Sequence, residues 1–230
     1  MKTRVLTPEL LDSLPPEDPA AQGSRGDLRR LHPLLGQNLI WRRWFSEYFP
    51  IRPPSSLADL GTGDGFLLCS TLLRTYPAGG HGARIFLVDR QPVLSESTLD
   101  QLRRRNWLPT VVSADALVWL EEAPPMEAIL TNLFLHHFNE QGVTRLFSTL
   151  ARKTSCFAAA EPRRSRLAWL ASSGLRWLGF HPVTRHDARV SVEAGFRDHE
   201  LSALWPRDDW RTHEEPIGPF THFFSAHKLA

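Results

Sequence analysis

A glycine-rich turn between a short apolar strand and a helix constrains the fold of this chain more than any other segment. Residues 59–65 read Asp-Leu-Gly-Thr-Gly-Asp-Gly, after the predicted strand Ser56–Leu60 and before the predicted helix Phe66–Tyr76. Glycines let the backbone turn sharply and approach a ligand without a Cβ in the way. The amides that begin the next helix can bind a carboxylate or a phosphate. The turn therefore predicts a ligand site at the end of a strand, with a tight turn that binds nothing as the alternative.

Strands and helices alternate along most of the chain. The further predicted strands are Arg84–Val88, Thr110–Ser113, Met126–Leu133 and Cys156–Ala160. Helices are predicted between them at Pro92–Trp107 and Glu140–Lys153. This alternation is typical of a parallel sheet with helices on both faces, so we expect an α/β fold.

The two ends of the chain depart from this alternation. Prolines up to about Gly26 predict an N-terminal arm with one short helix, and Asp27–Tyr48 is predicted to be a helical cap. A mostly helical insertion is predicted near 163–195. After it, Glu200–Trp205 and Phe220–His227 are expected to pair as antiparallel strands at a sheet edge. We therefore expect an arm and cap over 1–50 and a main domain over 51–230.

Composition excludes several classes of protein. With 27 Lys and Arg against 25 Asp and Glu, the net charge of +2 gives no basis for nucleic-acid binding. The best apolar run, Leu167–Phe180, is too short to span a bilayer and contains Arg176. Pro8 and Glu9 interrupt any signal peptide. Two cysteines supply neither a disulfide framework nor a metal site. We expect a cytoplasmic protein with no metal and with no nucleic-acid or membrane partner.

Two more acidic residues follow neighbouring strands. Asp89 ends the second strand, where a carboxylate can accept both hydroxyls of a ribose. Asp115 follows the third strand within Ser-Ala-Asp-Ala, where it can meet an adenine. Each acid alone is more often a helix cap. Three acids around one glycine turn make a far more specific pattern.

These motifs resemble those of class I S-adenosylmethionine-dependent methyltransferases. The resemblance implies a Rossmann-like seven-stranded sheet with an antiparallel last strand pair, and S-adenosylmethionine as cofactor. It implies that the turn lines the methionine part, that Asp89 binds the ribose and that Asp115 binds the adenine. The cofactor-binding residues it implies are Asp59, Gly61, Thr62, Gly63, Gly65, Asp89, Arg90, Ala114, Asp115, Ala116 and Asn132. A dinucleotide-binding protein is the alternative, although Phe66 stands where its fingerprint needs a third glycine.

The end of the fourth strand is similar to the Leu-His-His segment of methyltransferases that act on small molecules. Residues 129–138 read Ile-Leu-Thr-Asn-Leu-Phe-Leu-His-His-Phe and lack the Asn-Pro-Pro-aromatic run of enzymes that methylate amide or base nitrogens. His136 and His137 are therefore candidate bases for a phenolic acceptor. His186 is a third candidate, with Asp187 to orient its ring. A hydrogen-bonded structural histidine is the alternative for each.

The cap and the insertion are expected to cover a small aromatic acceptor. The candidate acceptor-binding residues are Trp41, Phe45, Leu133 and Arg163. Both segments are similar to small bacterial methyltransferases encoded beside polyketide synthases, which implies secondary metabolism and O-methylation of a phenolic or polyketide-type molecule by in-line transfer. C-methylation of a quinone or polyketide ring is the first alternative. A non-catalytic, cofactor-binding accessory subunit is the second, and a homodimer is compatible with the sequence.

Overall fold

The computed structural model describes residues 3–206 and 209–229; Met1 and Lys2, which begin the predicted arm, lie outside them. In this part of the chain seven strands form one sheet in the order β3-β2-β1-β4-β5-β7-β6. The strands are β1 (Ser56–Leu60), β2 (Ala83–Asp89), β3 (Trp107–Ser113), β4 (Met126–Asn132), β5 (Thr154–Pro162), β6 (Trp210–Ile217) and β7 (Thr221–Lys228). The first five pair in parallel, and β7 pairs antiparallel with both β5 and β6. The predicted Rossmann-like sheet with its antiparallel last pair is confirmed.

Helices cover both faces of this sheet. They are α1 (Leu10–Ser13), α2 (Pro19–Leu34), α3 (Gln37–Tyr48), α4 (Phe66–Thr75), α5 (Glu96–Arg104), α6 (Ala116–Glu122), α7 (Glu140–Lys153), α8 (Arg166–Gly174) and α9 (Pro182–Ala194). One core cluster joins the sheet to α3, α4 and α5, and the other joins it to α6 and α7. Single 3₁₀ turns follow β4 (Leu135–His137) and α8 (Leu175–Leu178).

The predicted cap helix is two helices. Its first part begins earlier than expected, at Pro19, because the Asp18 carboxylate accepts a hydrogen bond from the amide of Ala20 at 2.7 Å. Gly36 then adopts a left-handed conformation, with φ of 71°, and separates α2 from α3. The chain can thus turn between the two helices.

Two other predicted elements are corrected. Glu200–Trp205 is not a strand, because Leu201 and Trp205 are buried in a compact turn whose amides bind the Glu214 carboxylate. The partner of β7 is instead Trp210–Ile217. The predicted helix Pro92–Trp107 is confined to α5, with Ser95 as its cap and Asn106 in a left-handed conformation after it. Among the described residues, no helix has the length and apolar content needed to cross a membrane.

Candidate active site

The glycine turn is held against β2 and bends through three left-handed residues. Gly61, Gly63 and Gly65 have φ values of 76°, 55° and 65°. The amides of Gly61 and Thr62 donate to the Val88 carbonyl at 2.8 and 3.1 Å. A Cβ on Gly61 would lie 2.4 Å from the Phe134 ring, whereas one on Gly63 would meet nothing within 4 Å. The turn therefore needs glycine at Gly61 for packing, and at Gly63 it leaves open space for a ligand.

Two of the predicted acids lie beside this turn. Asp59 is buried and accepts a hydrogen bond from the Thr62 hydroxyl at 2.9 Å. Burial, together with the nearby charge of Asp89, raises the pKa of Asp59 to about 7. Each oxygen of Asp89 accepts one backbone amide at 2.8 Å, from Gly63 and from Gln91. Because a carboxylate oxygen has two lone pairs, both Asp89 oxygens can still accept a hydroxyl.

The third acid caps the helix that follows β3. Asp115 accepts the amides of Leu117 and Val118 at 2.9 and 3.2 Å. It also pairs with Arg90, whose hydrogen bond lowers the pKa of the Asp115 carboxyl. Arg90 is largely exposed, so this pair lies at the rim of the site.

A cavity of about 730 Å³ opens at the carboxyl ends of β1, β2 and β4. This is the edge at which open α/β sheets bind ligands. The structure brings most predicted site residues to its wall: Asp59, Gly61, Thr62, Gly63, Asp89, Arg90, Ala114, Asp115, Ala116 and Asn132 from the cofactor set, Trp41 and Leu133 from the acceptor set, and His136 and His137. Leu133 has a φ of 53°, which is rare for a bulky residue and marks a strained turn at the cavity.

Four predicted site residues lie outside the cavity wall. Gly65 begins α4, and a Cβ there would lie 2.5 Å from Leu94. Phe45 is fully buried in the core, on the face of α3 that packs against Tyr76. Arg163 donates to the Gly218 carbonyl at 3.0 Å. His186 is half exposed on α9.

Asp187 has a role that the sequence did not indicate. Its carboxylate accepts a hydrogen bond from His186 at 2.9 Å, as expected, but it also accepts the amides of Leu10 and Leu11 at 2.8 and 3.0 Å. These bonds hold the start of α1 against α9. The N-terminal arm thereby becomes a wall of the cavity, to which it contributes Glu9, Leu11 and Asp12.

His136 is buried between two carboxylates. Its Nδ1 lies 2.8 Å from Glu161 Oε2, and its Nε2 lies 3.1 Å from Glu9 Oε1. Burial disfavours the charged ring, but the hydrogen bonds to Glu161 and Glu9 outweigh burial and raise the pKa of His136 to about 9. A charged ring with both nitrogens engaged is poorly suited to accept a proton at neutral pH.

His137 is the more available of the two imidazoles. It lies on the cavity wall, and its Nδ1 is 3.3 Å from Asp12 Oδ2. Its ring packs against that of His136 with centroids 4.3 Å apart. An imidazole at a cavity wall beside a carboxylate can accept a proton from a bound ligand.

Sequence reasoning missed three acids, Glu161, Glu9 and Asp12, and one amide at the site. Glu161 is fully buried at the end of β5 and accepts the amides of Phe134 and Leu135 at 3.0 and 2.8 Å, so it fixes the turn that carries both histidines. Its place after an apolar strand, like that of Asp59 and Asp89, could have indicated it. Glu9 lies in the proline-rich arm, where no local pattern singles it out.

The missed amide is Gln37, at the start of α3. The Trp41 indole can only donate, and it donates to Asn132 Oδ1 at 3.0 Å. The Asn132 amide nitrogen therefore donates to Gln37 Oε1 at 3.3 Å. Among the residues that the structure describes, the buried Gln37 nitrogen then has no partner, and it lies beside the cavity that Gln37 lines. An unpaired buried donor is costly, and a ligand oxygen could satisfy it.

Comparison with solved structures identifies the fold. No family model and no curated protein matches the chain. The plantazolicin methyltransferase BpumL, in complex with a triazolic desmethylPZN analog and SAH, matches over 96% of this chain and 93% of that one, with a TM-score of 0.66 and 14% identity. The pyocyanin biosynthetic protein PhzM matches over 93% and 60%, with a TM-score of 0.60 and 17% identity.

A further match has a different acceptor in its name. Magnesium protoporphyrin IX methyltransferase (ChlM) from Synechocystis PCC 6803, with bound SAH, matches over 84% of this chain and 82% of that one, with a TM-score of 0.51 and 12% identity. At such low identities these likenesses concern the fold. The chain has the fold of class I S-adenosylmethionine-dependent methyltransferases.

Proposed function

We propose that this protein is an S-adenosylmethionine-dependent methyltransferase that methylates a hydroxyl oxygen of a small, mostly apolar molecule. One observation carries the proposal: the glycine turn and the acids of three neighbouring strands line a single cavity that continues to His137. A cavity with one polar end and a few convergent polar groups is the usual form of a small-molecule site. The matched methyltransferases that have SAH bound support the choice of cofactor.

The residues present are suited to this cofactor. The open space above Gly63 would admit the methionine part, and the free lone pairs of Asp89 would accept the ribose hydroxyls. Ala114 and Asp115 would lie against the adenine. Asp59 would neutralise the amino group. When bound, S-adenosylmethionine supplies a methyl group activated by its sulfonium.

The chain's own part in the reaction is alignment and proton removal. In-line displacement requires the acceptor oxygen at near-attack distance, and positioning supplies much of the rate. Leu133 and Phe134 line the cavity where β4 ends and would confine the acceptor there. His137, beside Asp12, would take the hydroxyl proton. His136, held by Glu161 and Glu9, would orient this segment instead of accepting the proton.

The test is release of S-adenosylhomocysteine from purified protein, S-adenosylmethionine and a panel of phenols, resorcinols and hydroquinones. We expect turnover with at least one of them and a product heavier by one CH₂ unit, because a methyl group replaces a hydrogen. A product whose added mass survives ether cleavage would indicate C-methylation. Cofactor binding without any turnover would point to a larger or carrier-bound acceptor and would strengthen the accessory-subunit alternative, and no cofactor binding would refute the proposal.

A further inference from the structure

The cavity has two chemically different ends. The end near the sheet is lined by the glycine turn and by carboxylates. The other end lies between α2 and the segment formed by α8 and the 3₁₀ turn after it. Six leucines line that end: Leu28, Leu31, Leu34, Leu35, Leu175 and Leu178. We name this part the leucine channel.

The leucine channel reaches the protein surface. Leu34 and Leu178 line the cavity, yet they are 64% and 58% exposed. Trp177, next to Leu178, is 78% exposed. Apolar side chains grouped at a cavity mouth indicate a ligand-binding surface better than isolated exposed ones do. A ligand in the channel could therefore extend beyond the enclosed volume.

The leucines give the channel aliphatic walls, whereas the cavity as a whole is also lined by Phe134, Phe138 and Phe220. Of the aromatic residues on α3, Trp44 and Phe45 pack into the core beside the sheet, and only Trp41 lines the cavity. Leu31 and Leu175 belong, with Phe180, to a small apolar cluster that is separate from both main cores. His32 also borders the cavity, but burial lowers its pKa to about 4, so its ring is neutral. Leucine side chains can bury a chain of methylenes, but they lack the ring faces against which a flat aromatic group would stack.

We propose that the acceptor carries a flexible aliphatic chain that lies in the leucine channel while its hydroxyl lies beside His137. This inference rests on the proposed function, because it specifies the acceptor of that same site. It names a substrate class: a hydroxylated head group with an alkyl or isoprenoid-like tail. Because Leu34 and Leu178 line the cavity and are largely exposed, a long tail could leave the cavity beside them.

The test uses resorcinols with 5-alkyl chains from methyl to undecyl, kept below their aggregation concentrations. Each buried methylene should improve binding to the SAH-loaded protein by about fourfold until the chain leaves the channel. The ratio kcat/KM should rise in parallel. Affinity is measured by calorimetry, so the inference is tested even where a given resorcinol is not methylated. Affinity and turnover that do not change with chain length would overturn it.

A matched pair of variants locates the chain. Ala171 on α8 lines the cavity, and Ala171→Phe should obstruct the channel. Ser173 on the same helix is exposed and does not line it, so Ser173→Phe is the control. We expect Ala171→Phe to weaken the undecyl compound at least tenfold and the methyl compound less than twofold, with SAH affinity unchanged in both variants. Equal effects on both chain lengths, or an effect of Ser173→Phe, would contradict the inference. If the unaltered protein does not bind SAH at all, the proposed function itself is refuted.

Discussion

Replacing Glu161 with glutamine should destabilise the protein strongly, although the change preserves shape. The buried carboxylate accepts three backbone amides and the Nδ1–H of His136, and a glutamine would turn an NH₂ group toward some of these donors. Breaking one side of a buried ion pair costs about 3–5 kcal/mol. With a urea m-value of roughly 1–3 kcal/mol/M, the unfolding midpoint should fall by at least about 1 M.

The control for Glu161→Gln is a carboxylate–histidine pair at the surface. Glu215 lies 3.2 Å from His213, and both side chains are exposed. Glu215→Gln should change the free energy of unfolding by less than about 0.5 kcal/mol. Tryptophan fluorescence in a urea titration at pH 6 measures both variants. Equal midpoints for Glu161→Gln and Glu215→Gln would refute the role given to Glu161.

The same interaction predicts a pH dependence of a definite sign. The pKa of His136 is raised from 6.5 to about 9 in the folded protein. The charged His136 therefore makes its full contribution to the free energy of unfolding below pH 6.5. This contribution, on the order of 3 kcal/mol, is lost as the pH rises through 9. We expect the stability difference between the unaltered protein and Glu161→Gln to shrink between pH 6 and pH 10. A stability difference that stays constant over this range would show that Glu161 does not hold His136 in its charged form.

Three further changes separate binding, stability and catalysis. Gly63→Ala and its control Gly82→Ala both place alanine at a positive φ, with no described atom within 4 Å of its Cβ, so each should lower the free energy of unfolding in urea by about 1–2 kcal/mol. Only Gly63→Ala should weaken the binding of SAH, at least tenfold by calorimetry. Equal SAH affinities of the two variants would contradict the proposed cofactor site. Burial raises the pKa of the Asp59 carboxyl from 3.8 to about 7, so its charged form destabilises the folded protein. Asp59→Asn should therefore increase stability in thermal unfolding at pH 8, by up to about 4 kcal/mol, and should give no gain at pH 3. SAH should bind this variant more weakly, and a loss of stability at pH 8 would argue against a buried, costly charge. His137→Gln should lower turnover at least tenfold with SAH affinity unchanged, and an unaltered rate would leave His137 structural.

Local sequence patterns were sufficient to predict the layered sheet and one end of the site. Alternating strands and helices predict parallel pairing, and the carboxyl ends of parallel strands meet at one edge. For this reason the sequence alone predicts that Asp59, Asp89 and Asp115 lie side by side. The prediction failed at Glu200–Trp205, because a short apolar run is equally compatible with a strand and with a buried turn.

Only the three-dimensional packing shows which side chains line the part of the cavity proposed for the acceptor. Helical periodicity identifies the apolar face of α3, but it does not tell that Trp41 borders the cavity while Phe45 packs in the core. Nor does it bring Glu9 to His136, since these residues are 127 positions apart. Such long-range pairs depend on how the arm, α2 and α9 pack over the sheet. Motifs within single strand–turn–helix units are enough to indicate the chemistry of the proposed cofactor end of the cavity. The histidine environment and the leucine channel arise only from the packing of helices that are distant in sequence.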